Sequence, residues 1–255
     1  MMEFTLLQAL LIAASVGIAS GSIGAFVVLE RLALAGDALS HVALPGIALA
    51  FAYSIDPFFG ALVFLVGAAL VVWYLRTKTN LPTDALIGIL FTASLAVGIL
   101  TIPDQEIIES LFGEFPELPL PSLIVIVALA LGFAFLVFRF AKQFAFRNIS
   151  RELAQANRIG ERYELLLLVL FAVIVALGIK LVGTLLMGAL TIIPALAARN
   201  IARSMRGYIV ASTILGGLIA TIGIFTANTY HFLPGPTIVL LGIIVFLGSL
   251  LVRKN

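Results

Sequence analysis

No cysteine occurs among the 255 residues. That excludes a disulfide framework and any thiolate metal site. Charge is scarce too: 11% of the residues are Asp, Glu, Lys or Arg, against about a quarter in an ordinary soluble domain. The net charge of +2 is too small to argue for a nucleic-acid partner. Signatures of chemistry are missing as well. There is no Gly-x-x-x-x-Gly-Lys-Ser/Thr stretch, so the chain has no P-loop for ATP. It has no His-Glu-x-x-His and no Gly-x-Ser-x-Gly, so neither a zinc-protease helix nor a hydrolase elbow is present. No Lys or Arg precedes Arg31, so residues 1–30 do not read as a secretory signal. No constellation supports an enzyme, and the chain reads as non-enzymatic.

What remains is apolar. Hydrophobic residues make up 62% of the chain, and the mean hydropathy is +1.20. Successive runs approach or exceed the ~20 apolar residues that cross a bilayer. They are Phe4–Leu29, Leu32–Ser54, Phe58–Leu75, Ala85 to about Ile102, Ser122–Phe138, Leu165–Ile179, Leu181–Ala198, Tyr208–Asn228 and Thr237–Val252. The pattern predicts an all-α, polytopic transmembrane helical bundle in the lipid of the cell membrane, one domain over 1–255. It has about nine crossings, or eight if the sixth and seventh runs, split at Lys180, merge.

Charge distribution orients the bundle. With Arg76 and Lys78 placed in the cytoplasm and each run crossing once, 14 of the 15 basic residues fall inside and only Lys180 outside. Glu3, Asp56 and the acids between Pro103 and Pro121 fall outside. The positive-inside rule then places the N-terminus outside and the C-terminus in the cytoplasm.

One stretch breaks the apolar pattern with chemistry: Gly36-Asp37-Ala38-Leu39-Ser40-His41-Val42-Ala43-Leu44-Pro45-Gly46. Asp37 and His41 are four apart and share one helical face. Pro45 lacks the N–H that would bond the His41 carbonyl. One turn thus offers a carboxylate oxygen, a ring nitrogen and a backbone oxygen, donor types that a divalent transition metal accepts. An Asp inside the membrane costs roughly 2.5–3.5 kcal/mol on insertion scales, which makes it a functional candidate. The plainer alternative has Asp37 pairing with Arg31 and His41 hydrogen-bonding a neighbouring helix. Two side chains cannot close a coordination shell, so further ligands must come from another helix, a second subunit or water.

Other features are weaker. Gly17 and Gly21 form a small-x-x-x-small pair suited to close helix packing. Asp84 reads as an N-cap. Pro194 in the seventh run frees the Leu190 carbonyl and is, with Pro45, a gating candidate. His231, in an outer turn, reads as an interfacial residue. Ser150–Gly160 reads as a short capped helix within a basic segment. The acidic stretch 103–121 reads as a solvated connection, a docking surface or a cation-attracting vestibule.

Four stretches together carry a family resemblance. Arg31 to Gly46 resembles the signature of membrane permeases of ABC importers for zinc, manganese or iron(II). Asp84-Ala-Leu-Ile-Gly-Ile-Leu-Phe91 is similar to the start of that family's fourth helix. Lys180-Leu-Val-Gly-Thr-Leu-Leu-Met-Gly-Ala-Leu-Thr-Ile-Ile-Pro-Ala195 is similar to its late, proline-containing helix, and Pro234-Gly-Pro-Thr-Ile-Val239 to its last-helix entry. The resemblance implies a type II importer-like, homodimeric permease with two cytoplasmic ATP-binding cassette subunits and an extracytoplasmic metal-binding protein. It implies that Asp37 and His41 bind the passing metal and that no cofactor is permanently held. It also implies that a segment of about 140–163 contacts the ATPase, with Glu152, Leu153, Ala154 and Gly160 at the matching positions. The competing reading is an ion-coupled secondary carrier or channel for divalent cations that works without an ATPase.

Overall fold

The computed structural model describes residues 2–79, 81–101, 119–149, 159–184 and 187–252, with residues 33–37 described by their backbone. Among the described residues all regular structure is helical. The helices are α1 (Met2–Leu29), α2 (Ala33–Val42), α3 (Leu44–Ala52), α4 (Pro57–Thr79), α5 (Thr83–Thr101), α6 (Leu120–Arg139), α7 (Ala141–Ile149), α8 (Ile159–Val182), α9 (Met187–Ile201), α10 (Met205–Tyr230) and α11 (Pro234–Val252).

Six of these, α1, α4, α6, α8, α10 and α11, are long and apolar enough to cross a membrane, and three shorter apolar helices cover 38–52, 83–98 and 187–201. Burial sorts them into an inside and an outside. The apolar window of α1 is 83% buried, whereas those of α6 and α11 are 22% buried. α1 is therefore the post around which α6, α8, α9 and α10 stand. The outer helices present large apolar side chains outward, Phe135 and Leu240 among them. Lipid suits such surfaces and water does not.

Small residues let the inner helices touch. A Cβ on Gly17 would run into the Gly216 carbonyl, and one on Gly21 into the Ser212 carbonyl. The α1–α10 seam is therefore a backbone-to-backbone contact, as the Gly17/Gly21 spacing predicted. Polar groups add direction to it. The Ser212 hydroxyl donates to the Gly21 carbonyl at 2.5 Å, and the Tyr208 hydroxyl to the Ala25 carbonyl at 3.2 Å. Such bonds contribute about 0.6 kcal/mol each on average in a membrane bundle, so packing, not hydrogen bonding, holds the seam.

Several boundaries differ from the sequence expectations. The second run is not one helix: it breaks at Ala43, and Pro45 sits in the first turn of α3. A proline is tolerated in a first turn because the N–H it lacks has no partner there anyway. The sixth run continues through Lys180 to Val182, and the chain breaks instead at Gly183, whose φ is 82°. A single charged residue can extend its stem along a helix, but a positive φ ends one. Asp84 lies inside the first turn of α5, not at its cap. Ile159 and Gly160 open α8 instead of closing a separate helix, while residues 150–158 of that expected helix lie outside the described residues. So does 102–118, which contains the five acids of the outer stretch.

Three helix ends use a left-handed residue that is not glycine: Arg31, Ser54 and His231, with φ of 62°, 55° and 55°. Each is followed by an N–H that reaches back to close the last turn: Leu32 to the Val27 carbonyl, Ile55 to Ala50 and Phe232 to Ala227. His231 is thus an exposed helix stop. The left-handed conformation costs an L-residue roughly 1–2 kcal/mol. His231→Gly should raise the melting temperature of the purified protein by about 2–4 °C per kcal/mol recovered, leaving transport unchanged. His231→Val should lower it, because a branched Cβ fits this conformation worst. A transport defect in His231→Gly would reassign the residue to function.

Candidate metal pathway site

The site is built from the end of α2, the start of α3 and the face of α5. α2 carries Asp37 and His41 on one face, one turn apart along the helix. It ends where Ala43 N–H turns back to the Ser40 carbonyl at 3.3 Å. α3 then starts with Ile47 N–H on the Ala43 carbonyl at 2.9 Å. Pro45 has no N–H to continue the i to i+4 pattern from His41, and here the helix ends and restarts. The break falls at Ala43, two residues after His41.

His41 is 6% exposed and Ser40 is fully buried. The imidazole stands against the ring of Phe91 on α5, with centroids 5.3 Å apart and planes tilted by 58°. α2 also packs on α4, α8 and α9. An ionisable ring buried among apolar helices of a membrane chain is a candidate for function by default. For Asp37 the backbone position on α2 is what the structure supplies. Among the described residues no three or more His, Cys, Asp or Glu side chains gather where they could hold a metal ion.

The two candidate gating prolines flank this turn differently. Pro45 is buried and lines a cleft of about 510 Å³ between α3, α4 and α5, with Ala48, Phe64, Ser94, Val97 and Thr101 on its walls. The cleft is apolar apart from two hydroxyls. Pro194 is buried inside α9, which packs against α2. Thr191, one turn before it, folds its hydroxyl back on the Met187 carbonyl at 3.2 Å. Its backbone lies so near Gly24 that a Cβ there would strike it.

The residues expected to meet an ATPase are only partly described. Gly160 is in the first turn of α8, and Glu152, Leu153 and Ala154 lie outside the described residues. Two features escaped the sequence reading. One is Phe91, whose ring faces His41; the only sign of it was its place in the Asp84–Phe91 stretch. The other joins α4 to α8: Arg76 pairs with Glu164, and the Trp73 indole donates to the Glu161 carbonyl at 3.1 Å. In the sequence Arg76 had served only as a topology signal. The spacing of Glu161 and Glu164, acids within a basic segment, was the available clue.

Residues 1–253 match the model of the ABC 3 transport family. The chain belongs to that family. It is 32% identical over 261 residues to the manganese import system permease protein ScaB of Streptococcus gordonii, covering 99% of this chain and 93% of that one. The high-affinity zinc uptake system membrane protein ZnuB of Haemophilus influenzae is 29% identical over 257 residues, covering 98% of both. A solved structure of PsaBC from Streptococcus pneumoniae in complex with Fab superposes with a TM-score of 0.83 at 32% identity, over 96% of this chain and 90% of that one. The family and its six long apolar helices make this ABC 3 chain a multi-pass membrane protein.

Proposed function

We propose that this chain is the permease of an ATP-driven importer that moves zinc, manganese or iron(II) across the cell membrane, with Asp37 and His41 on the path. The observation that carries the reading is the buried His41, one turn from Asp37, at a helix break in a chain of this family. Relatives named for manganese import and for zinc uptake support the cargo class. An aspartate–imidazole pair suits all three ions, and no thiolate is present to favour a softer one.

The three shorter apolar helices join the six long ones to make about nine crossings in a type II importer-like bundle. The N-terminus is outside and the C-terminus cytoplasmic. The chain forms one permease domain over 1–255 and works as a dimer with a second copy of itself. Two such copies would bring four side-chain ligands toward the two-fold axis, which answers the lack of a closed shell among the described residues of one chain. ATP-binding cassette subunits dock on about 140–163 through Glu152, Leu153, Ala154 and Gly160, and an extracytoplasmic protein delivers the metal. ATP hydrolysis belongs to the cassette subunits, so the permease itself is not an enzyme and holds no permanent cofactor.

The test is reconstitution in proteoliposomes. Manganese or zinc uptake should require the cassette subunit, the metal-binding protein and ATP. Uptake by the permease alone on an ion gradient would make it a secondary carrier and overturn the reading.

A further inference from the structure

The N-terminal end of α8 is fastened to two different bodies. Trp73 and Arg76 of α4 are three residues apart, as are Glu161 and Glu164 of α8, so each pair lies on one helical face. The indole bonds the Glu161 carbonyl at 3.1 Å and the guanidinium pairs with the Glu164 carboxylate. On the other side, Tyr163 stands against Phe140 and Phe144, with centroids 6.1 and 6.4 Å away, and Phe144 meets Phe26 of α1 edge-on at 5.2 Å.

These fastenings differ in kind. Rings pack over a broad range of offsets, and the burial that holds them is non-directional, so they tolerate small slides. Hydrogen bonds weaken steeply with angle, so a two-point polar clamp moves its partner or breaks. α4 in turn meets α3 where Gly60 and Gly46 approach so closely that a Cβ on either would strike the other's carbonyl. Backbone against backbone leaves no side chain to absorb a shift. α3 begins at the break beside His41.

We propose that Trp73 and Arg76 are positioning residues that carry displacement of the ATPase-contacting segment into α4, and through the Gly46–Gly60 contact to the break at Ala43. The inference rests on the reading of about 140–163 as that segment. A purely structural clamp would behave otherwise. The side chains of Arg76 and Glu164 are 27% and 11% exposed, so removing one partner of a merely structural pair would cost stability and be felt in the amount of folded protein. Its loss would then leave transport and ATP use in step.

The experiment uses the full complex of permease, cassette subunit and metal-binding protein in proteoliposomes. It measures manganese taken up per ATP hydrolysed for wild type, Arg76→Gln, Glu164→Gln and the swap R76E/E164R. Both single variants should assemble and keep basal ATPase activity, while uptake per ATP falls about fivefold, the size of effect that a contact on a coupling route carries. The swap should restore most of the ratio. An unchanged ratio in the single variants overturns the proposal, and so does a loss that follows reduced cassette binding and is not rescued by the swap. If the wild-type complex moves no metal with ATP, the functional reading falls, and this inference with it.

Discussion

His41→Ala should abolish metal uptake by the reconstituted complex while the permease still assembles with its cassette subunit. The imidazole is the buried nitrogen donor of the turn, and alanine leaves nothing in its place. Partners that merely orient a ligand cost about 10–100-fold when removed, so loss of a ligand itself should exceed about 100-fold. Asp37→Asn should do the same, because it keeps the shape and removes the charge that a divalent ion needs. Assembly should survive, since His41 stands on α2 with its ring against Phe91 of α5, and α2 is not part of the α1–α10 seam. Uptake assays paired with size-exclusion of the complex separate the two effects. Normal uptake in either variant would remove that residue from the path. Phe91→Leu offers a graded companion: it keeps apolar bulk beside His41 but loses the ring face, and should weaken uptake less than His41→Ala.

Gly21→Val should cost the permease its fold. A Cβ at this position would meet the Ser212 carbonyl, and behind it the Thr213 backbone. Overpacking typically costs about 1–3 kcal/mol where side chains can yield. Here the obstacle is backbone, and the Ser212–Gly21 hydrogen bond would break with it. Little folded protein should be recovered in detergent. Gly67, Gly88 and Gly132 supply the control, because a Cβ there meets nothing within 4 Å. Alanine at those positions should be neutral, or stabilise by up to about 1 kcal/mol through the higher helix propensity. Equal behaviour of Gly21→Val and Gly67→Ala would mean that the α1–α10 contact does not hold the bundle together.

The parts of the site that were legible are local. Asp37 and His41 share a face because they are four apart, and Pro45 lacks the N–H that would continue the pattern from His41. Neither statement needs a tertiary contact. The Gly17/Gly21 spacing announced a close helix contact, but not that α10 would be the partner. Arg76 entered the sequence reading only through its charge. The pairing of Trp73 and Arg76 with Glu161 and Glu164 was not legible, because 88 residues separate them from α8 and periodicity says nothing about which faces meet. The boundary at Gly183 was misplaced at Lys180, since charge is a weaker helix stop than a positive φ.

By itself the sequence determined that the chain lives in lipid, that it carries no P-loop motif and no thiolate, and that one turn carries a carboxylate and an imidazole. Those are consequences of composition and of spacing within one helix, which backbone geometry alone converts into structure. Only the tertiary structure decided that α1 is the buried post, that Phe91 faces His41, that α2 and α3 part at Ala43, and that α4 is clamped to α8. The reason is physical: in a bilayer every helix is apolar, so hydrophobicity cannot rank one helix partner over another. Close packing at particular glycines and a few directional polar bonds make that choice, and both depend on surfaces that meet only when the chain is folded.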